Sequence, residues 1–321
     1  MITRNLTWVT MKYKPDTEAR ALILLLCLLF PPALTAAALA NECKPLKPTK
    51  TDLSVQTVYG EGLLWEINRQ GIQPSHVFGT IHVSDPEVTN LPEKVSDTLT
   101  QAGQFIMEAL PEPDEIVKLT QMMFFNDGRR LNEFIAPPLF DRTVEILSSY
   151  QIPLEAVMVM RPWAAFMVMN YPPGNEMPLD LKLLAIAQEN GIEAHGLESL
   201  HEQGKIFDDL TLATQLGLLI DTVCHYDLVL EDFERIKSLY IKRDLNGLYE
   251  ISQNLSVSDK RVYQELISKL LTDRNVTMVE RMLPTLEIGN AFIAIGALHL
   301  TGDDGVLSLL EQKGYVIKLI Y

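Results

Sequence analysis

The sequence predicts a mixed α/β protein: a central sheet built from βαβ units, with two Gly-x-x-His strand ends at one sheet edge and long helical insertions. Three observations carry this. Short apolar runs alternate with helix-length amphipathic stretches toward both ends of the 321-residue chain, the pattern of strands joined by crossover helices. Two long stretches between them, at about 111–175 and 205–285, read as helical. An apolar run also closes on Gly-x-x-His twice, in VFGTIHVSD at 77–85 and in AIGALHLTGDDG from Ala294.

The elements follow in order. GLLWEINRQG (62–71) and SHVFGTIHV (75–83) read as the two strands of a hairpin about GIQP. LPEKVSDTLTQAG (91–103) is a helix with proline near its start and glycine at its end. QFIMEAL (104–110) is a short apolar strand. Strand, helix and strand within this span form a βαβ unit, so the strands around the helix should run parallel. PLDLKLLAIAQENG (178–191) is a second helix with a glycine stop, followed by the strand in IEAHGLES. AFIAIGALHL is read as a strand running through His299, DGVLSLLEQKG as a helix and YVIKLIY as a final strand. No low-complexity linker divides these pieces. Residues 41–321 are therefore expected to form a single domain, with a split near residue 111 as the alternative.

The amino terminus reads as a targeting segment. ALILLLCLLF (21–30) is an apolar core preceded by Arg4, Lys12, Lys14 and Arg20, and Ala38-Leu39-Ala40 is an A-x-A cleavage site. A secretory signal peptide over 1–40 is expected, starting from Met1 or Met11. Pro31-Pro32 interrupts the run too early for a spanning helix, so no stable membrane span should remain after cleavage. The expected location is the periplasm or the exterior. Cleavage leaves Cys43 and Cys224, an even pair in an exported chain, and a disulfide between them is expected. The formal net charge of −15 argues against nucleic-acid binding, which needs a basic face.

Four chemically capable side chains collect at the carboxyl ends of the expected strands: His82, Glu108 in FIMEA, Glu198 in HGLES, and His299. Ligands of open parallel sheets bind beyond those ends. A glycine three residues before each histidine permits close approach of backbone or ligand. Two imidazoles and a carboxylate suit a divalent metal with an open position. Glu108 sits in an apolar strand, where an unpaired carboxylate is costly, so it needs a cation, a partner or an exposed strand end. Other motifs are weaker. HEQGK at His201 lacks the second histidine of a zincin helix and reads as a helix start. The Met-rich segment 158–169 reads as a buried helix, His195 and His225 as structural or surface residues, and His76 as beginning the first motif strand and pointing the wrong way along it. There is no G-x-S-x-G, Walker loop or G-x-G-x-x-G.

The segments GLLWEI, HVFGTIHVSDPEVTNLPEKV, FIMEA, RPWAA, GLES, LTDRNVTMVERM and FIAIGALHLTGDDGVLSLLEQKGYVI together resemble the TraB/GumN (YbaP/TraB) family, which is related to the Tiki metalloproteases. The likeness runs from about Gly62 to Ile317. It implies that His82, Glu108 and His299 are metal-site residues and that Arg274 and Asn275 support the same pocket, with Glu198 at a family-typical position. Where the family has Lys-Pro-Trp this chain has Arg161-Pro162-Trp163, and arginine and lysine differ in geometry. The expected function is metal-dependent hydrolysis, most simply of peptides, with Mn, Co or Zn as cation and a peptide or small molecule as substrate. Glu108 is either a third ligand or the general base. The alternatives are a non-enzymatic envelope protein holding a ligand such as haem, and a scaffold with a vestigial site.

Overall fold

The computed structural model describes residues 43–46, 56–174, 176–254 and 257–321, which belong to one compact unit. The expected leader and its cleavage site lie outside the described residues.

Strands β1 (Leu64–Asn68) and β2 (Ser75–Thr80) pair antiparallel, with Leu64 opposite Phe78. Two short helices, α1 (Pro86–Thr89) and α2 (Glu93–Thr100), lead to β3 (Gln104–Ala109). The first helical stretch holds α3 (Pro113–Met122), α4 (Pro137–Ser148), α5 (Leu154–Val159) and α6 (Pro162–Met169). Helix α7 (Leu179–Glu189) then feeds β4 (Glu193–Glu198). The second stretch holds α8 (Leu200–Asp208), α9 (Leu212–Cys224), α10 (Tyr226–Ile241), α11 (Leu245–Asn254), α12 (Lys260–Leu270) and α13 (Thr272–Ile288). The chain closes with β5 (Ala291–Gly296), α14 (Val306–Gln312) and β6 (Val316–Leu319).

The six-stranded sheet has the order β4-β3-β5-β2-β1-β6. β2, β5, β3 and β4 run parallel, and β1 is antiparallel to both β2 and β6. The hairpin and the parallel run of β2 and β3 match the sequence reading. The two strands are not neighbours, however, because β5 lies between them. Ala291 to Ile295 are all buried, as a strand covered on both faces must be. Nothing in its apolar run encodes which strands flank it.

One expectation needs correction. His299 does not end a strand: β5 stops at Gly296, and Ala297–His299 form a 3₁₀ turn. β2 likewise stops at Thr80, leaving His82 in the following loop. The physical reason is the packing of one motif against the other. A Cβ on Gly79 would stand 2.7 Å from Leu300 Cδ1 and 3.1 Å from Ala297 Cα. The turn after β5 therefore rests directly on the backbone of β2.

The apolar interior has two parts. One surrounds the sheet, where Phe105 and Phe292 stack with ring centroids 6.3 Å apart and Leu99 and Leu183 pack from the helices. The other lies among the helices around Trp163, Leu147, Met169 and Leu219. Met160 and Met169 are buried there, but the Met-rich segment is not the single helix expected: α5 ends at Val159 and α6 begins at Pro162, where the proline opens a new helix. No helix among the described residues is long and apolar enough to cross a membrane.

Cys43 and Cys224 form a disulfide that ties the start of the described chain to the end of α9 across 181 residues. Closing a loop of that length is worth roughly 5 kcal/mol in the chain-entropy model, an upper figure. A chain beginning near Asn41 is expected to show no free thiol when titrated in denaturant. Reduction should lower its urea midpoint, and two titratable thiols would exclude the bridge in solution.

Candidate metal centre

Strand ends and one helix bring the site together. Glu108 is the penultimate residue of β3, Glu198 ends β4, and Arg274 and Asn275 sit in the first turn of α13. Arg274 Nη2 donates to Glu108 Oε2 at 2.6 Å and to Glu198 Oε2 at 2.7 Å. Its Nε donates to Glu198 as well. The three side chains are 12, 13 and 6% exposed for Arg274, Glu108 and Glu198, so one guanidinium is shared by two nearly buried carboxylates and the ionised triad keeps a negative charge. Gln203 of α8 bridges the same two carboxylates more loosely, at 3.4 and 3.3 Å.

Glu108 Oε1 accepts the Gly296 N–H at 2.6 Å. A Cβ at Gly296 would stand 3.0 Å from that oxygen, so the second motif needs its glycine to admit the carboxylate. Burial disfavours the Glu108 charge, but His299, Arg274 and His82 together with the Gly296 N–H hold the group ionised, well below the ordinary carboxylate range.

The tautomer of His299 follows from its partners. Asn275 Nδ2 donates to the Asp304 carbonyl at 2.8 Å, which turns Asn275 Oδ1 toward His299 Nδ1 at 2.6 Å. An amide oxygen only accepts, so Nδ1 carries the proton. Burial lowers the basicity of His299 against the pull of Glu108, with Arg274 and His82 reinforcing burial. Nε2 is thus the ring nitrogen turned toward Glu108. That atom lies 3.6 Å from Glu108 Oε1.

His82 has a similar arrangement. Its Nδ1 lies 2.8 Å from Asp180 Oδ2, in the first turn of α7, while Thr80 donates to the other carboxylate oxygen. Its side chain is 46% exposed. Against the cost of burial, Asp180 and then Glu108 push the His82 pKa up to about 9. The Tyr171 ring lies over the imidazole, with centroids 5.5 Å apart.

The structure therefore gathers Glu108, Glu198, Arg274, Asn275 and His299 into one bonded constellation, with His82 close enough to Glu108 for their charges to interact. Among the described residues, no three His, Cys, Asp or Glu side chains already stand together as a complete ligand set. The donor chemistry nevertheless fits a cation. His299 Nε2 and a Glu108 carboxylate oxygen face each other across 3.6 Å, longer than a hydrogen bond, so a positive ion between them would have a donor on each side. Both histidines have Nδ1 engaged by an acceptor, the outer-sphere pattern that orients imidazole ligands.

Arg161 is not part of the constellation. Its Nη1 and Trp163 Nε1 both donate to Asp208 Oδ1, at 2.7 and 3.0 Å, bracing the end of α8. His201 opens α8 inside a capping box formed by Ser199 and Glu202, as read from the sequence. Sequence reasoning missed Asp180, Gln203 and Tyr171. Asp180 carried the faint signal of an acidic residue in a helix's first turn. The other two carried none.

Fold and site together define an α/β protein whose polar centre is assembled by two Gly-x-x-His turns on adjacent parallel strands. Residues 63–319 match the TraB/PrgY/gumN family, and the chain belongs to that family. It is similar to Metalloprotease TIKI2 of Danio rerio, 24% identical over 311 residues, with 79% of this chain and 60% of the relative covered. It is also similar to Metalloprotease TIKI1 of Danio rerio, 22% identical, with 87% of this chain and 67% of the relative covered. The chain thus spans about 60–67% of the length of these relatives. No solved structure gives a significant match.

Proposed function

We propose that this chain is an exported metal-dependent hydrolase of peptides, with His82, His299 and Glu108 holding one divalent cation. The carrying observation is that His299 Nε2 faces Glu108 Oε1 at 3.6 Å while His299 Nδ1 is turned to Asn275 Oδ1. The names of the two similar proteins point to the same reaction class, and the disulfide agrees with export. The mixed imidazole and carboxylate donors suit Zn, Co or Mn.

A divalent cation there would lower the pKa of water and polarise a substrate carbonyl. The chain's own groups have separate tasks. Arg274 and the Gly296 N–H fix the Glu108 carboxylate from two sides. A carboxylate held so firmly ionised is a weak proton acceptor near pH 7, which favours Glu108 as ligand over Glu108 as base. Asn275 sets the tautomer of His299, and Asp180 orients the His82 ring. Asp180→Ala is expected to weaken metal binding about 10–100-fold while leaving His299 in place, read by competition with a chromogenic chelator.

Metal analysis of freshly purified mature protein tests the proposal. The expected result is one divalent ion per chain, with cleavage of a mixed peptide substrate lost on chelation and restored by Mn, Co or Zn. Protein that carries no metal and takes none up on dialysis overturns the reading. A Soret band would replace it with haem binding.

A further inference from the structure

Hydrolysis of an amide needs a hydrogen-bond donor for the oxygen that becomes negative as water adds. The donors around the constellation are already committed. Arg274 is spent on Glu108, Glu198 and the Leu270 carbonyl. Gln203 is spent on the two carboxylates and Asn275 Nδ2 on Asp304. Thr80 and His82 Nδ1 are spent on Asp180. Tyr240 Oη donates to the Gly79 carbonyl.

Tyr171 is different. Its ring lies against His82, it is 44% exposed, and its phenol makes no hydrogen bond among the described residues. The charges of Glu108, Asp180 and Arg274 all reach it, which places it at the same centre. Its backbone is anchored from the helical side: the Tyr171 carbonyl accepts the Tyr150 hydroxyl at 2.8 Å, and Tyr150 is paired with the Tyr226 hydroxyl at 2.7 Å. An accessible, unspent donor on a braced backbone beside a candidate metal ligand is what the reaction requires.

We infer that Tyr171 is a catalytic residue whose phenol O–H donates to the carbonyl oxygen of a peptide bond and strengthens that bond in the tetrahedral state. The inference rests on the peptide-hydrolase reading. Water oxygen bonds to the carbonyl carbon, and the C=O electron pair moves onto oxygen. The C–N bond then breaks as the nitrogen takes up the proton released by the water. Tyr171 keeps its own proton throughout.

Tyr171→Phe tests this in the metal-loaded mature chain, since it removes only the hydroxyl and keeps the ring on His82. The probes are a fluorogenic peptide mixture, a phosphinic peptide that mimics the tetrahedral state, and Co(II) alone. Expected for Tyr171→Phe are unchanged Co(II) stoichiometry and visible spectrum, kcat lower by about 10²–10³ with KM little altered, and phosphinate affinity lower by a similar factor. Unchanged kcat and phosphinate affinity overturn the inference while leaving the hydrolase reading intact. Loss of Co(II) also overturns it, making the residue a support for His82. Wild-type protein that cleaves no peptide and binds no phosphinate overturns the hydrolase reading and this inference with it.

Discussion

Arg274→Ala is expected to cost about 3–5 kcal/mol of folding stability in the metal-free protein, the usual consequence of leaving buried charges without their partner. The side chain is 12% exposed and its guanidinium serves both Glu108 and Glu198. Removing it strands two carboxylates that Gln203 reaches only at 3.3–3.4 Å. Adding Glu108→Gln and Glu198→Gln to Arg274→Met should recover much of the loss, because a neutral cluster no longer carries unpaired charge. The pH dependence has a definite sign. In the wild type Glu108 is held down to about 2, so its contribution is present above the unfolded value of about 4.3 and is lost as pH falls from there through the folded value. In Arg274→Ala that contribution is missing. The gap between the two proteins should therefore be widest near neutrality and shrink on acidification. Urea unfolding of both proteins at neutral pH and near the folded Glu108 value of about 2 measures it. A gap under about 1 kcal/mol at neutrality, the range of exposed pairs, would mean that water solvates these carboxylates.

How far the sequence reaches depends on the range of the interaction concerned. Each strand and the helices between the strands with glycine stops were legible, because period and punctuation are local: Gly103 and Gly191 lie just beyond α2 and α7, whereas the two long helical stretches were not divided into their separate helices. The placement of Glu108 and Glu198 at carboxyl strand ends on one edge was legible too, since the parallel direction follows from the connections; that their strands are neighbours was not. Insertion of β5 between β2 and β3 was not, because pairing partners 200 residues apart leave no local mark. The 3₁₀ turn at His299 escaped for the same reason. AFIAIGALHL is apolar throughout, and the strand ends only because Gly79 of another strand leaves a place for the following turn. Asp180 and Tyr171 come from ordinary-looking segments that acquire meaning only when the α7 start and the loop before it fold over His82. The repetition of Gly-x-x-His has a physical account in the fold. Thr80 is paired with Gly296 on adjacent parallel strands, so two motifs more than 200 residues apart leave the sheet side by side. One glycine admits the opposite turn, and the other admits Glu108.

That adjacency leads to the second large effect. His82→Ala and His299→Ala are each expected to lower divalent-metal affinity by more than the 10–100-fold that outer-sphere partners carry. The double variant should lose little further. Two ligands of one ion form a unit, so removing either spoils the site, and the second removal acts on a site already lost. Independent sites would instead lose metal stepwise, half an occupancy at a time. Stability separates the two histidines. His299 is buried and its Nδ1–H satisfies Asn275 Oδ1, so His299→Ala leaves a buried acceptor unpaired and should cost about 1–3 kcal/mol in the metal-free protein. His82 is half-exposed, and its removal should cost less. Glu108→Gln then distinguishes the roles of that carboxylate. As a ligand, its loss should weaken metal binding together with hydrolysis; as a base, hydrolysis alone would fall. Competition with a chromogenic chelator gives affinity, and urea unfolding of the metal-free variants gives stability. If both single histidine variants retain full metal occupancy, the shared site is wrong, and the paired motifs are an arrangement for packing two turns on adjacent strands.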